Sequence, residues 1–164
     1  MKPFTFKGMM APTCAPFRSD SSLNLDVIPA YAKWLNNNGV TAVWVNGTAG
    51  EGMSMTVSER KAIAEAWMKC RDHIPTVIMQ CGAGCFTDTL ELVRHAESLN
   101  VEGIALLPNL FDRPKSTEDL VDYMEEVSKA CPNTPLFYYH IPMKTAVNCE
   151  YKRPSQVFRQ RESL

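Results

Sequence analysis

Short apolar runs alternate with amphipathic segments along the chain, in an order that predicts strand, helix, strand, helix. Five apolar runs predict strands, at 8–14, 42–45, 75–80, 103–107 and 135–139. Between them, apolar residues recur at helical spacing and predict four helices, at 26–38, 56–70, 87–99 and 117–130. Strands that alternate with helices of this length run parallel and are joined by right-handed crossovers, so the pattern indicates an α/β fold.

Two α/β architectures fit this order of elements. A doubly wound sheet closes near the length of this chain, whereas a complete (β/α)8 barrel typically needs about 250 residues. The first strand–helix turn, however, carries no Gly-rich phosphate-binding signature. The later run Cys81-Gly82-Ala83-Gly84 lacks the third glycine of a dinucleotide site. The pattern alone therefore leaves both architectures open.

Composition narrows the class of protein. The chain has 164 residues, of which 45% are hydrophobic and 21% charged, with a net charge of −1. These values are typical of a globular protein and give no electrostatic reason to expect a nucleic-acid partner. No apolar run reaches the roughly 20 residues that cross a bilayer, and the first ten residues lack the apolar core of a signal peptide. We therefore expect a cytoplasmic protein with no membrane segment.

The six cysteines are spread through the chain, and we expect them to be reduced thiols because no secretory signal precedes them. Cys81 and Cys85 lack a matching second pair of Cys or His residues, so a structural zinc site is not expected. The sequence predicts no metal ligands elsewhere.

The first candidate for binding chemistry is the segment 46–52, Asn-Gly-Thr-Ala-Gly-Glu-Gly, at the carboxyl end of the second predicted strand. In a parallel barrel, that end is the active face. Its glycines permit a tight backbone course that aims amide N–H groups and the Thr48 hydroxyl at one small volume, as carboxylate binding requires. The alternative is an ordinary Gly-rich connection, with Thr48 as a local turn former.

The second candidate is the segment 137–142, Phe-Tyr-Tyr-His-Ile-Pro, at the carboxyl end of the fifth predicted strand. Side chains alternate along a strand, so one of Tyr138 and Tyr139 points inward and the other outward. An inward phenol beside a carbonyl substrate can transfer a proton. The alternative is that both rings simply pack and that His140 makes a local hydrogen bond.

Together, these two segments resemble the signatures of the dihydrodipicolinate synthase and N-acetylneuraminate lyase family, Gly-Thr-Thr-Gly-Glu and Tyr-Asn-x-Pro. The order and spacing of the flanking blocks, including Val57-Ser58-Glu59-Arg60 and Glu65-Ala66-Trp67, agree over roughly residues 6–147. Tyr139-His140-Ile141-Pro142 is most similar to the animal N-acetylneuraminate lyase branch of the family.

The resemblance implies a homotetrameric (β/α)8 enzyme that cleaves N-acetylneuraminate reversibly to N-acetylmannosamine and pyruvate through a lysine Schiff base. It implies no metal and no organic cofactor. Carried over position by position, Thr48 and Ala49 bind the carboxylate of pyruvate, and Tyr139 donates and accepts the proton of the aldol step. The partners implied are small molecules and further copies of the same subunit.

The sequence departs from the family at two places. Ala49 stands where the family usually has a second threonine, so one hydroxyl donor is missing. The family's Schiff-base lysine lies on a sixth strand in a Gly-x-Lys context, which this chain lacks. Beyond the fifth strand its lysines are Lys144 and Lys152, and neither is in a setting that activates an amine.

We therefore expect a partial (β/α)8 barrel over residues 1–147 and a divergent, unstructured tail over 148–164. A chain that ends before the Schiff-base lysine is expected to be inactive alone. An alternative transcript or an early stop would explain such an ending.

Two other functions remain open from the sequence. One is a non-catalytic fragment that binds pyruvate or pairs with full-length subunits through an open sheet edge. The other is a different pyruvate-dependent aldolase, such as dihydrodipicolinate synthase. His140 favours the sialic-acid branch over this second alternative.

Overall fold

Five strands alternate with five helices in the computed structural model, which describes residues 3–149. The strands are β1 (Met9–Pro12), β2 (Val40–Val45), β3 (Thr76–Gln80), β4 (Gly103–Leu106) and β5 (Leu136–Tyr138). The helices are α1 (Ile28–Asn37), α2 (Val57–Met68), α3 (Phe86–Ser98), α4 (Thr117–Ser128) and the single turn α5 (Pro142–Thr145). All five predicted strands and all four predicted helices are present. From residue 150 onward, the predicted tail (148–164) lies outside the described residues.

The strands form one parallel sheet in the order β1-β2-β3-β4-β5. Ile78 of β3 pairs with Gly103 of β4, and Ala105 of β4 pairs with Phe137 of β5. A doubly wound sheet reverses its strand order at a switch point, whereas a (β/α)8 barrel adds each strand beside the previous one. The unbroken order of five βα units confirms the predicted partial barrel and excludes the doubly wound alternative for this part of the chain.

The sheet curls, so that side chains from distant strands meet across its concave side. The Trp44 ring of β2 lies 5.6 Å from the Tyr139 ring after β5. Three inter-strand steps separate β2 from β5, which would place these strands roughly 14 Å apart in a flat sheet. Phe4, ahead of β1, makes a second such contact with Phe137 of β5 at 5.0 Å. The concave side is therefore the inner face of a barrel wall.

The convex side of the sheet carries the main hydrophobic core, because the helices cover it. Trp67 of α2 and Ile28 of α1 are fully buried there. Strand residues alternate in and out, and the outward ones join this core: Val43, Val45, Val77, Met79, Ile104 and Leu106. Burying a side chain of this size contributes about 1.5–3 kcal/mol. This layer fixes the strands whose carboxyl ends carry the candidate site.

Hydrogen-bonded caps set where two helices begin. The Thr56 hydroxyl accepts from the Glu59 amide at 3.3 Å, and the Glu59 carboxylate accepts from the Thr56 amide at 2.8 Å. These two bonds form a capping box at the start of α2, where the sequence Thr56-Val57-Ser58-Glu59 has the Ser/Thr-x-x-Glu pattern of that motif. Ser116 and Asp119 form the same arrangement at the start of α4. None of the helices in residues 3–149 is long and apolar enough to cross a membrane.

The structure differs from the sequence pattern at α1 and α5. The apolar residues at helical spacing in segment 26–38 include Val27 and Trp34, yet their exposed fractions are 40% and 61%. The buried face is set by Ile28, Ala32 and Leu35, and Trp34 is turned about 100° away from Leu35 because it lies one residue before it. The short helix α5 was not predicted, since four residues are too few to show periodicity.

Candidate active site

A cleft of about 570 Å³ opens at the carboxyl ends of the strands, on the concave side of the sheet. It brings together all three residues that the sequence analysis proposed for binding and chemistry: Thr48, Ala49 and Tyr139. The other lining residues are Met10, Pro12, Trp44 and Gly47. Segments about 90 residues apart in the sequence thus meet at the face where barrel enzymes bind their substrates.

The loop after β2 folds back on itself so tightly that it needs its glycines. The Gly52 amide donates to the Gly47 carbonyl at 3.2 Å. A Cβ at Gly52 would lie 2.0 Å from the Asn46 carbonyl oxygen, and one at Gly50 would lie 2.9 Å from the Thr13 carbonyl oxygen. Asn46 itself has a positive φ of 60°. This course leaves Thr48 exposed at the rim of the cleft, where its hydroxyl can reach a ligand.

A buried arginine ties this loop to the neighbouring strand. Arg60 of α2 is only 2% exposed. Its guanidinium donates to the Gly82 carbonyl at 3.0 Å and to the Gln80 carbonyl at 2.7 Å. The Asn46 side-chain amide donates to the Arg60 carbonyl at 3.0 Å. We call segment 46–52 the Thr48 loop. Helix α2 therefore holds the start of the Thr48 loop and the end of β3 in one hydrogen-bonded unit.

Burial shifts the pKa values of Arg60 and Cys81, at the end of β3, in opposite directions. Desolvation lowers the pKa of Arg60, while the nearby Cys81 and Asp88 act to raise it. Desolvation raises the pKa of the Cys81 thiol to about 12, so Cys81 is a neutral core residue rather than a nucleophile. A guanidinium keeps its charge in proteins. Arg60 therefore brings a buried positive charge to the end of β3, next to the strand that carries the Thr48 loop.

Tyr139 continues the line of β5 into the cleft. Its backbone amide donates to the Leu106 carbonyl at 2.8 Å, so it keeps the pairing of β5 with β4. Its ring packs against Trp44 with an interplanar angle of 56°. Tyr138 points the other way and packs against the core under the helices. The predicted alternation of the two tyrosines is therefore observed, with Tyr139 as the inward one.

Sequence reasoning assigned no individual role to Trp44, Met10, Pro12, Asn46 or Arg60, although segment 46–52 includes Asn46 and the block 57–60 includes Arg60. Strand β2 is apolar on both faces, so an inward tryptophan has the same sequence pattern as its outward neighbours. A charged residue on an amphipathic helix is normally assigned to the solvent face, and the partners that bury Arg60 lie 20 and 22 residues further along the chain. His140 is exposed and is not among the residues that line the cleft.

The cleft offers hydrogen-bond donors and one phenol, and its walls are mostly apolar. None of the described residues that line it is a lysine or an arginine. Lys144 lies exposed on α5, and Lys152 lies outside the described residues. Within residues 3–149, no three His, Cys, Asp or Glu side chains are placed to hold a metal ion. The arrangement suits a small carboxylate whose charge is met by N–H and O–H groups, with proton transfer at Tyr139.

A family model and individual relatives match this chain and indicate the same family. The model of the Dihydrodipicolinate synthetase family matches residues 5–158. The N-acetylneuraminate lyase of Xenopus tropicalis is 40% identical over 155 residues, which is 92% of this chain and 51% of that protein. The chain spans about half the length of the curated relatives it matches.

Solved structures give the same fold. The N-acetylneuraminate lyase (sialic acid aldolase) of Aliivibrio salmonicida superposes with a TM-score of 0.82 at 38% identity, over 88% of this chain and 49% of that one. A dihydrodipicolinate synthase superposes with a TM-score of 0.78 at 26% identity, over 87% of this chain and 49% of that one. With its unbroken order of parallel strands, its cleft at their carboxyl ends and this family match, the chain belongs to the dihydrodipicolinate synthetase family.

Proposed function

We propose that this chain supplies the carboxylate-binding and proton-transfer half of an active site that cleaves N-acetylneuraminate reversibly into N-acetylmannosamine and pyruvate. The observation that carries the proposal is the meeting of Thr48, Ala49 and Tyr139 in one cleft. Their positions at the strand ends, their order along the chain and the residue types of Thr48 and Tyr139 agree with the family signature, whereas Ala49 replaces its second threonine. A protein of this kind is expected to be a cytoplasmic homotetramer.

The pyruvate carboxylate is bound by the loop after β2. The Thr48 hydroxyl donates one hydrogen bond, and the backbone N–H groups around Thr48 and Ala49 donate others. Hydrogen bonds to a charged group contribute about 1.5–3 kcal/mol each, so a few of them suffice for a small anion. The apolar side chains of Met10 and Pro12 line the same cleft, as a ligand with a methyl group requires.

The bond-breaking step needs an amine in addition to these groups. A lysine amine condenses with the keto carbon and releases water, which gives a protonated imine. The carbon–carbon bond then breaks and its electron pair moves toward the imine nitrogen, while Tyr139 takes the proton of the adjacent hydroxyl, whose carbon becomes the aldehyde of N-acetylmannosamine. The resulting enamine gains a proton and is hydrolysed by water, which releases pyruvate and the free amine. In the reverse direction, Tyr139 returns the hydroxyl proton. The family pattern puts the lysine on a sixth strand, outside residues 3–149, so these residues supply the carboxylate-binding and proton-transfer groups but not the amine.

Sialic acid is favoured over other aldolase substrates by the pattern of identities. The chain is 35–40% identical to the vertebrate N-acetylneuraminate lyases, 28–38% identical to the solved sialic acid aldolase structures and 26% identical to the dihydrodipicolinate synthase structure. Tyr139-His140-Ile141-Pro142 also agrees with the animal sialic-acid branch.

The test is a titration of the ¹⁵N-labelled chain with pyruvate, followed by NMR at the amides of the Thr48 loop. We expect saturable shifts at Thr48 and Ala49 and a Thr48→Val variant that binds about tenfold more weakly, because one hydrogen bond to a charged group is lost. Thr5→Val is the matched control, since Thr5 is an exposed threonine ahead of β1. If pyruvate causes no shifts at these amides, or if Thr48→Val leaves the shifts unchanged, carboxylate binding at this loop is refuted.

A further inference from the structure

Trp44 connects the two halves of the candidate site. It is the inward residue near the end of β2, where it pairs in register with Pro12 of β1 and Ile78 of β3. It lines the cleft and is half-buried. Neither the sequence pattern nor the family signature assigns it a role. Its two contacts, with Tyr139 and with the Thr48 loop, indicate a role in holding the site together.

The first contact is with the Tyr139 ring. The two ring centroids are 5.6 Å apart and the planes are tilted by 56°, a distance and tilt at which aromatic pairs attract each other. The pairing of the Tyr139 backbone with β4 fixes its Cα, but a side chain on a fixed backbone still chooses among staggered rotamers. The indole occupies the space on one side of the ring and so restricts that choice.

The second contact is with the first turn of the loop. A Cβ added at Gly47 would lie 3.0 Å from Trp44 Cδ1 and 3.2 Å from Trp44 Nε1. The backbone at Gly47 therefore lies directly against the edge of the indole, one residue before Thr48. A side chain at this position would have to displace either the loop or the indole.

We infer that Trp44 is a positioning residue whose indole holds the Tyr139 ring at a fixed place beside the Thr48–Ala49 segment. The catalytic meaning of this inference rests on the proposed function, whereas the ring contact does not. Proton transfer needs the phenol within hydrogen-bond reach of the reacting group, and a displacement of about 1 Å can cost on the order of a hundredfold in rate. A small residue at position 44 would leave the Tyr139 backbone in place but release its ring.

The experiment follows Tyr139 by ¹⁹F NMR in the chain labelled with 3-fluorotyrosine. The chain has five tyrosines, and Tyr139→Phe identifies the Tyr139 signal. We expect Trp44→Ala to shift this signal and to lengthen its transverse relaxation time, because the ring gains motion. Trp44→Phe, which keeps an aromatic ring, should restore much of the original relaxation. Trp34→Ala is the control, since Trp34 is exposed on α1 and is not in contact with the cleft.

The ligand-free measurement separates this inference from the proposed function. Suppose that Trp44→Ala folds and that its Tyr139 signal has the same chemical shift and relaxation time as in the Trp34→Ala control. The positioning role is then wrong, whether or not pyruvate binds. If Trp44→Ala does not fold, Trp44→Phe is compared with Trp44→Leu, because only the phenylalanine keeps an aromatic ring at position 44. Equal relaxation times of the Tyr139 signal in these two variants would overturn the inference. If the ring is released but pyruvate perturbs neither Thr48 nor Tyr139 in the parent chain, the positioning holds and the proposed function fails.

Discussion

At the scale of single residues, Ala49 stands where the signature that this chain resembles, Gly-Thr-Thr-Gly-Glu, has its second threonine. It is exposed at the rim of the cleft, next to Thr48. Its backbone N–H can still meet a carboxylate, but its side chain offers no donor. If the loop binds pyruvate as proposed, this site works with one hydroxyl fewer than the usual family member.

Ala49→Thr is therefore expected to strengthen pyruvate binding by about tenfold or more, because a hydroxyl–carboxylate hydrogen bond contributes about 1.5–3 kcal/mol. Ala49→Val is the matched control, since it adds similar bulk without the hydroxyl. The measurement is the dissociation constant of pyruvate from an NMR or calorimetric titration. Equal affinities of the threonine and valine variants would show that the carboxylate does not lie at this position.

Ala146 carries backbone strain just after α5. Its φ of 55° lies in the left-handed region, and its amide donates to the Pro142 carbonyl at 2.7 Å as it ends the helix. This is the C-terminal position where proteins usually place glycine. An alanine here is less stable than a glycine because its Cβ approaches the following carbonyl oxygen.

We expect Ala146→Gly to stabilise the chain by about 1 kcal/mol, measured from the midpoint of urea unfolding. Ala30→Gly in the exposed face of α1 is the control with the opposite sign, because glycine inside a helix loses about 1 kcal/mol relative to alanine. A destabilised Ala146→Gly variant would mean that the left-handed conformation is not what position 146 adopts in solution.

At the scale of elements, the sequence predicted every strand and every longer helix, and the reason lies in local chemistry. The capping box at Thr56 and Glu59 and the periodic apolar residues are features of neighbouring residues, so they can be read without knowing the fold. Alternation along one strand also predicts that Tyr138 and Tyr139 point to opposite sides, although only the family resemblance singled out Tyr139 as the inward one. What could not be predicted is which elements meet: the Trp44–Tyr139 contact depends on the curl of the sheet, and the burial of Arg60 depends on two distant carbonyls.

Arg60 shows how a helix can control a loop that it does not contain. Its guanidinium satisfies two carbonyls at the end of β3, and its own carbonyl accepts from Asn46 at the start of the Thr48 loop. A buried carbonyl without a partner costs about 1–3 kcal/mol. The arrangement therefore couples the position of α2 to the shape of the Thr48 loop.

Arg60→Met is expected to destabilise the chain by about 2 kcal/mol or more, because it leaves the Gln80 and Gly82 carbonyls unpaired. Hydrogen exchange should also quicken at the Gly52 amide, which closes the loop by donating to Gly47. Arg94→Met on the exposed face of α3 is the control and should change neither quantity. Loss of stability with unchanged Gly52 exchange, after correction for global unfolding, would show that Arg60 only packs and does not shape the loop.

At the scale of the whole molecule, the curled sheet explains how half of a barrel can already hold a recognisable site. Phe4 and Trp44 reach across the interior to Phe137 and Tyr139, so the concave wall is set by contacts within residues 3–149. The Thr48 loop and the Tyr139 phenol both belong to this half. The amine of the proposed mechanism does not, which divides binding from bond cleavage between two parts of the barrel.

This division predicts the behaviour of a hybrid enzyme. Residues 1–147 of this chain, joined to the C-terminal half of the Xenopus tropicalis N-acetylneuraminate lyase, should cleave N-acetylneuraminate, while the 164-residue chain alone should not. In the hybrid, Tyr139→Phe should lower kcat by about 10²–10⁴-fold, the usual contribution of a general acid–base group, with a much smaller change in KM. Tyr31→Phe on α1 is the matched control and should leave kcat unchanged. The measurement is release of pyruvate under steady-state conditions. A hybrid that folds and cleaves equally well with Tyr139→Phe would remove Tyr139 from the chemistry, because the lost hydroxyl is then not the group that carries the proton.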